Sequence, residues 1–166
     1  RAPRGLRTRP TADRVREALF SMLGDVAGAR VLDLYAGSGA LGIEALSRGA
    51  ASALFVERDP RAAASIRDNL RTLGLTQAVR RQDALRFVAR GEGTFDLVFC
   101  DPPYDSVPRI AGPLAERLPA LLATGARIVT ESDKRSPLEL PFPLLAERTY
   151  GDTRIAIHAS PGSGPQ

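Results

Sequence analysis

A mostly parallel, doubly wound α/β sheet, closed by a C-terminal antiparallel hairpin, is the fold class predicted for these 166 residues. Three observations predict it. Strand-length apolar runs alternate with amphipathic stretches along most of the chain, the pattern of parallel strands joined by helical crossovers. The first such run ends in a glycine-rich turn that opens a helix, as in nucleotide-binding α/β folds. The last two runs are separated only by Gly-Asp, a hairpin signal.

Each element has its own local signal. TADRVREALFSML (11–23) places Val15, Ala18, Leu19 and Met22 on one helical face, with Thr11 positioned to cap it. ARVLDLYAG (29–37) reads as a buried strand ending in glycine, and GALGIEALSRGA (39–50) as a helix that stops near Gly49. A second strand, ASALFVERD (51–59), leads into the helix PRAAASIRDNLRTLG (60–74), which opens on Pro60 and closes on Gly74. AVRRQDA (78–84) is a weak third strand and ALRFVAR (84–90) a short helix. TFDLVFCD (94–101) is the fourth strand, and the helix after it, PRIAGPLAERLPALL (108–122), is interrupted by prolines. ARIVTESD (126–133) is the fifth strand, while LLAERTY (144–150) and TRIAIHAS (153–160) make the hairpin. We expect a basic arm over 1–10, one domain over 11–159 and a Gly/Pro/Ser-rich flexible tail over 160–166.

Composition removes several classes of function. At 43% hydrophobic the chain has enough apolar residues for one domain with a core, yet no apolar run is long enough for a membrane span. No secretory signal is expected from the N-terminal sequence. The single cysteine, Cys100, excludes an internal disulfide framework and a Cys-rich zinc site, which fits a cytoplasmic protein with no metal. With only His158 present, a serine-type triad is not expected. Residues 1–16 hold six arginines against Asp13, a local excess of +5, whereas the chain totals +4, so residues 17–166 sum to −1. Such an arm suits a phosphate backbone, with Arg4, Arg7 and Arg9 as candidate contacts; the alternative is a solvated chain end without a ligand.

The first chemical motif is Gly37-x-Gly39-x-x-Gly42, between a strand and a helix. Glycines there let the backbone turn tightly and approach a ligand closely. Glu57, at the end of the second strand, can accept both hydroxyls of a ribose. Together they signal a nucleoside cofactor. Asp33, inside the first strand, can orient the loop and attract an ammonium, which favours a zwitterionic amino-acid tail over a pyrophosphate. Asp83 can accept from an adenine amine while Ala84 offers its backbone N–H, although Asp83 reads equally well as a helix cap. Adenine, ribose and an amino-acid tail describe S-adenosylmethionine better than a nicotinamide dinucleotide.

The second motif is Asp101-Pro102-Pro103-Tyr104, directly after the fourth strand. The lone pair of an exocyclic base amine is delocalised into its ring. Methylating it calls for acceptors on the amino protons, so that nitrogen becomes tetrahedral as the methyl arrives. The Asp101 carboxylate and Pro102 carbonyl are such acceptors, Pro103 stiffens the loop, and Tyr104 offers a flat face for an unstacked base. Cys100 reads as core, not as a nucleophile.

The sequence resembles the RsmD family, bacterial small-subunit rRNA guanine-N2 methyltransferases. TRPTADRVREALF, VLDLYAGSGALGIEALSRGA, FVERD, FDLVFCDPPY and YGDT carry the resemblance, in collinear order from Thr8 to Thr153. It implies a Rossmann-like class I methyltransferase fold, S-adenosylmethionine as cofactor, and a guanine of 16S rRNA in the 30S subunit or its assembly intermediate as substrate. Asp33, Gly37, Gly39, Glu57, Asp83 and Ala84 match the family's cofactor positions, and Asp101 to Tyr104 its catalytic loop. The resemblance also brings Arg9, Pro10 and Thr11 near the active site. Tyr150, Gly151 and Thr153 match a late family motif, or are simply hairpin-turn residues. Members usually carry a short basic β-rich segment before the RPT block; this chain starts at Arg1 without most of it, so weaker RNA affinity is expected. A monomer is expected. Two rival readings remain: a DNA adenine-N6 or cytosine-N4 amino-methyltransferase, which normally needs an added recognition region, and a non-catalytic RNA-binding protein of the same fold.

Overall fold

The structure is a computed structural model and describes residues 5–162, with side chains from residue 12 onward. Helix α1 (Gly5–Leu23) leads into β1 (Arg30–Leu34), α2 (Ala40–Ser47), β2 (Ser52–Val56), α3 (Pro60–Thr72), β3 (Ala78–Arg80) and α4 (Ala84–Arg90). Then follow β4 (Phe95–Cys100), a 3₁₀ turn (Tyr104–Ser106), α5 (Val107–Arg117), a second 3₁₀ turn (Leu118–Leu121), β5 (Leu122–Asp133), β6 (Leu144–Tyr150) and β7 (Thr153–Ala159). One sheet takes all seven strands in the order β3-β2-β1-β4-β5-β7-β6. The first five run parallel, and β7 and β6 close the edge antiparallel. This is the Rossmann-like class I methyltransferase fold expected from the sequence.

Strand alternation sorts the core into two layers. On one face Leu32, Leu34, Val98 and Ile128 pack with Phe87 of α4 and Ile110 and Leu114 of α5. On the other, Val31, Phe55, Phe99 and Val129 meet Leu19 and Phe20 of α1, Ala45 of α2 and Ile66 of α3. The Phe20 and Phe99 rings lie 5.8 Å apart, and the Arg48 guanidinium sits 4.8 Å over Phe20. Cys100 is buried in the first layer as a core residue.

Three boundaries differ from the sequence reading. Helix α1 begins at Gly5, so Thr11 falls inside it and not at its cap; Pro10 fixes φ near the helical value and costs the turn one hydrogen bond. Strand β5 begins at Leu122, and its pairing with β4 jumps from Phe95↔Leu122 to Leu97↔Arg127. The extra residues form an irregularity around Gly125 (φ +77°), which a hydrophobic pattern does not reveal. Helix α5 ends at Arg117, because Pro119 turns the following residues into a 3₁₀ segment.

Candidate active site

The carboxyl ends of β1, β2, β3 and β4 open on one cleft of about 630 Å³. At the end of β1 the chain turns through Tyr35-Ala36-Gly37-Ser38-Gly39, with Gly37 at φ +59° and Gly39 at φ +81°. A Cβ on Gly39 would lie 3.2 Å from Ile66 and 3.3 Å from Phe55, so both backbone angle and space call for glycine. Tyr35 takes φ +56° although it carries a side chain. Backbone strain of this kind costs roughly 1–3 kcal/mol and persists where the surroundings hold it.

Neighbouring groups do hold the loop. Glu57 Oε1 accepts the Gly37 N–H at 2.9 Å, and Oε2 accepts the Asp59 N–H at 2.8 Å. Asn69 Nδ2 donates to the Ser38 carbonyl at 3.1 Å, and the Ala36 N–H to the Val56 carbonyl at 3.1 Å. Glu57 therefore braces the loop as well as facing the cleft, and each carboxylate oxygen keeps a lone pair for a ligand hydroxyl.

Asp33 is buried under the loop, where its Oδ2 accepts the Gly42 N–H at 3.0 Å. Burial pushes its carboxyl up to about 8; the Gly42 hydrogen bond opposes that, and the charge of Glu57 adds to it. An arriving ammonium would reverse the imbalance and draw the carboxylate form. Asp83 does cap α4, its Oδ2 accepting the Arg86 N–H at 3.1 Å, and both Asp83 and Ala84 line the cleft. Both sequence readings of Asp83 are thus compatible.

The loop after β4 shows why its residues differ in role. Ser106 donates from both Oγ (2.6 Å) and N–H (3.1 Å) to the Pro103 carbonyl. Pro102 lines the cleft, and no donor among the described residues takes its carbonyl. Asp101 lies in the cleft beside Glu131 of β5. Burial first, then the charges of Glu131 and Asp33, push its carboxyl above the usual range. Its surface stays open to solvent through the cleft mouth even though dense protein surrounds it. Tyr104 points outward at 66% exposure, unusual for so large an apolar ring.

Asp33, Gly37, Glu57, Asp83, Ala84, Asp101, Pro102 and Pro103 are therefore brought to one cavity wall, whereas Gly39 and Tyr104 stand just outside it. Arg4 and the side chains of Arg7 and Arg9 lie outside the described residues. Three residues were not singled out in the sequence: Tyr35, Arg109 and Glu131. Tyr35 lines the cleft, and its hydroxyl is buried without a hydrogen-bond partner among the described residues. Glu131 had a usable signal, an acid where the apolar run of a strand stops, much as Glu57 follows its own apolar run. Glycines at the turn and carboxylates at three strand ends together fit an adenosine bearing an amino-acid tail. Among the described residues no group of His, Cys, Asp and Glu side chains is arranged to hold a metal ion, and no helix is long and apolar enough to cross a membrane.

Comparison with known proteins places this site in a family. The family model described as Conserved hypothetical protein 95 matches residues 1–159. YlbH of Bacillus subtilis, whose name marks its rRNA methyltransferase activity as provisional, is 40% identical over 98% of this chain and 93% of its own length. Ribosomal RNA small subunit methyltransferase D of Escherichia coli is 47% identical over 98 aligned residues, 58% of this chain and 50% of that protein. A solved structure of a conserved hypothetical protein from Streptococcus pyogenes superposes with a TM-score of 0.77 at 36% identity, covering 90% of this chain and 98% of its own. With its family model matched almost end to end and its glycine loop and Asp-Pro-Pro-Tyr turn meeting at one cleft, the chain belongs to the RsmD family.

Proposed function

We propose that this protein uses S-adenosylmethionine to methylate the exocyclic N2 amine of a guanine in 16S rRNA, within the 30S subunit or its assembly intermediate. The observation that carries the reading is the meeting of the braced glycine loop with Asp101 and Pro102 on one cleft. Glu57 would hold the ribose hydroxyls, Asp83 and Ala84 the adenine edge, and Asp33 the ammonium of the tail. When bound, the cofactor supplies an electrophilic methyl group on a sulfonium centre. Asp101 and the Pro102 carbonyl accept the two amino protons of the base, Pro103 stiffens the turn, and Tyr104 stacks on the ring. The chemistry needs neither a nucleophilic cysteine nor a metal. The guanine-N2 choice rests on the family resemblance, because the turn alone serves other base amines equally well.

Unpaired arginines at the sheet's carboxyl edge are compatible with a polyanionic substrate. Arg30, Arg48, Arg71, Arg90 and Arg154 each pair with a carboxylate. Arg58, Arg81 and Arg109 stand at the carboxyl edge of the sheet, exposed and without an ion-pair partner among the described residues. Arg58 and Arg109 bring positive charge to a cleft that also carries the acids Asp33, Glu57, Asp83, Asp101 and Asp105. Arg4, Arg7 and Arg9 would extend this surface along the RNA backbone. The protein would act in the cytoplasm as a monomer.

The test incubates the chain with labelled S-adenosylmethionine and unmodified 30S subunits, naked 16S rRNA or duplex DNA, then identifies the methylated nucleoside by mass spectrometry. N2-methylguanosine from the subunits is the expected product. A methylated base in the DNA alone would overturn the substrate assignment, and cofactor binding without any product would favour a non-catalytic RNA binder.

A further inference from the structure

A proline ring fixes φ and leaves ψ free, so Pro102 and Pro103 do not by themselves settle where the chain goes next. Rotation about ψ of Pro103 swings Tyr104 relative to Asp101 and Pro102, and the same torsion aims the Pro103 carbonyl. Here that ψ is 145°. Two hydrogen bonds from one residue hold it there: Ser106 donates to the Pro103 carbonyl from Oγ at 2.6 Å and from its N–H at 3.1 Å. Packing does little to hold the Tyr104 ring, which is mostly exposed, whereas Ser106 is buried. Val107 and Ile110, the next residues inward, belong to the core, so Ser106 ties the turn to the body of the protein. Ser106 also stands where a serine ordinarily caps a helix, directly before α5, yet its side chain makes no cap hydrogen bond. Pro108, at the second position of α5, has no N–H to receive one, and the hydroxyl points back to the turn instead.

We propose that Ser106 is a positioning residue for methyl transfer: through the Pro103 carbonyl it sets the Tyr104 ring relative to Asp101 and Pro102. The proposal rests on the methyltransferase reading of the cleft. In that reading one turn serves the target base twice, with acceptors at its first two residues and a flat face at its fourth. Both must meet the same base at once, so their relative placement decides how often the amine is aligned for transfer. The ring of Pro103 locks its φ and Ser106 locks its ψ. Without the hydroxyl only the longer N–H bond remains, and the Tyr104 face loses its fixed direction. The loss falls on the complex with the extruded base. It spares the cofactor, whose proposed partners Asp33, Glu57 and Asp83 stand at the ends of other strands.

The experiment compares the whole chain with Ser106→Ala, Tyr104→Ala and the double variant. Alanine at 106 removes one oxygen and keeps the backbone bond. In methylation of 30S subunits, Ser106→Ala should lower kcat about 10-fold, the scale of a misplaced contact, while KM and S-adenosylhomocysteine affinity change by less than about 3-fold. In the Tyr104→Ala background the same change should cost less than about 2-fold, because the two residues act as a unit. Additive losses would overturn the proposal, as would an unchanged kcat or a loss of cofactor affinity as large as the loss of kcat. A second readout uses the free protein. The chain has three tyrosines, so labelling with 3-fluorotyrosine gives one fluorine NMR signal for each, with that of Tyr104 assigned through Tyr104→Phe. Ser106→Ala should move the Tyr104 signal and leave those of Tyr35 and Tyr150 in place; a still Tyr104 signal, or equal movement of all three, would overturn the proposal. This spectrum bears the test if Tyr104→Ala methylates too slowly to follow. A wild-type chain that methylates nothing would remove the enzymatic reading, while the spectrum would still decide whether Ser106 places Tyr104.

Discussion

Replacing Gly42 by alanine sets two effects of similar size against each other. Gly42 lies inside α2, where alanine is favoured over glycine by about 1 kcal/mol, and its φ is not one that a side chain avoids. Against this, a Cβ at Gly42 would fall 2.5 Å from Phe55 Cε1, 2.9 Å from Phe55 Cζ and 3.1 Å from Asp33 Oδ2. Carbon atoms prefer roughly 3.5–4.0 Å, so the overlap with Phe55 approaches an ångström. The ring cannot yield cheaply, because Phe55 is fully buried in the layer that also holds Ile66 and Phe99. Overpacking typically costs about 1–3 kcal/mol, and an overlap this large belongs at or above the upper end. The net loss is then about 2 kcal/mol, which lowers the melting temperature by about 4–8 °C in a domain of this size. Gly112 provides the control. It lies in α5 with nothing beyond its chain neighbours near its would-be Cβ, but Pro113 follows and disfavours a side chain there, which offsets the helical preference for alanine, so Gly112→Ala should shift the melting temperature by less than about 3 °C. Thermal melts followed by circular dichroism measure both. A Gly42→Ala protein as stable as wild type, or one no less stable than Gly112→Ala, would refute the packing argument. The same Cβ crowds Asp33, so S-adenosylhomocysteine should also bind Gly42→Ala more weakly in calorimetry.

Glu57→Ala should lower both cofactor affinity and melting temperature, since the carboxylate accepts the Gly37 and Asp59 N–H groups in the free protein; loss of affinity with full stability would remove the bracing role. Asp33 titrates near 8 when folded and in the ordinary carboxylate range when unfolded, so the folded state binds more protons between those values. Its contribution to stability should fall as pH rises from about 4 to about 8, and Asp33→Asn, which keeps an acceptor for Gly42, should flatten that part of the curve of melting temperature against pH. An unaltered slope would show that Asp33 does not titrate there. Changing Arg58, Arg81 and Arg109 together to glutamine should weaken RNA binding and flatten its dependence on salt. The slope of log affinity against log salt should shrink by about 0.7–0.9 for each phosphate no longer neutralised. The paired set Arg30, Arg48 and Arg71 should leave the slope in place; equal effects from both sets would argue against the cleft-edge surface.

Much of the site was legible because it is encoded locally. Gly37 and Gly39 announce a turn through backbone freedom, and Glu57 and Asp83 announce themselves as acids where apolar runs stop. Asp101 to Tyr104 combine residue types that a buried strand cannot continue. Other features needed partners from elsewhere in the chain. Tyr35 at φ +56° carries no local signal, since nothing in its own type favours that angle. The second task of Glu57, as a brace for Gly37, appears only when β1 and β2 lie in register. The charge of the body was misleading as a sum, because pairing neutralises arginines such as Arg30 and leaves Arg58 and Arg109 free at the cleft.

By itself the sequence determined the alternation of strands and helices, the class of fold and the two loops that carry the chemistry. Each depends on periodic burial or on the conformational limits of glycine and proline, and those act over a few neighbouring residues. Only the tertiary structure decided that Asp101 meets Glu131 and that Asp33 lies beneath both Gly42 and the cleft. Those contacts depend on which strands pair and in what register. Register follows from the packing of the whole sheet, with its irregularity between β4 and β5, and not from the residues on either strand alone.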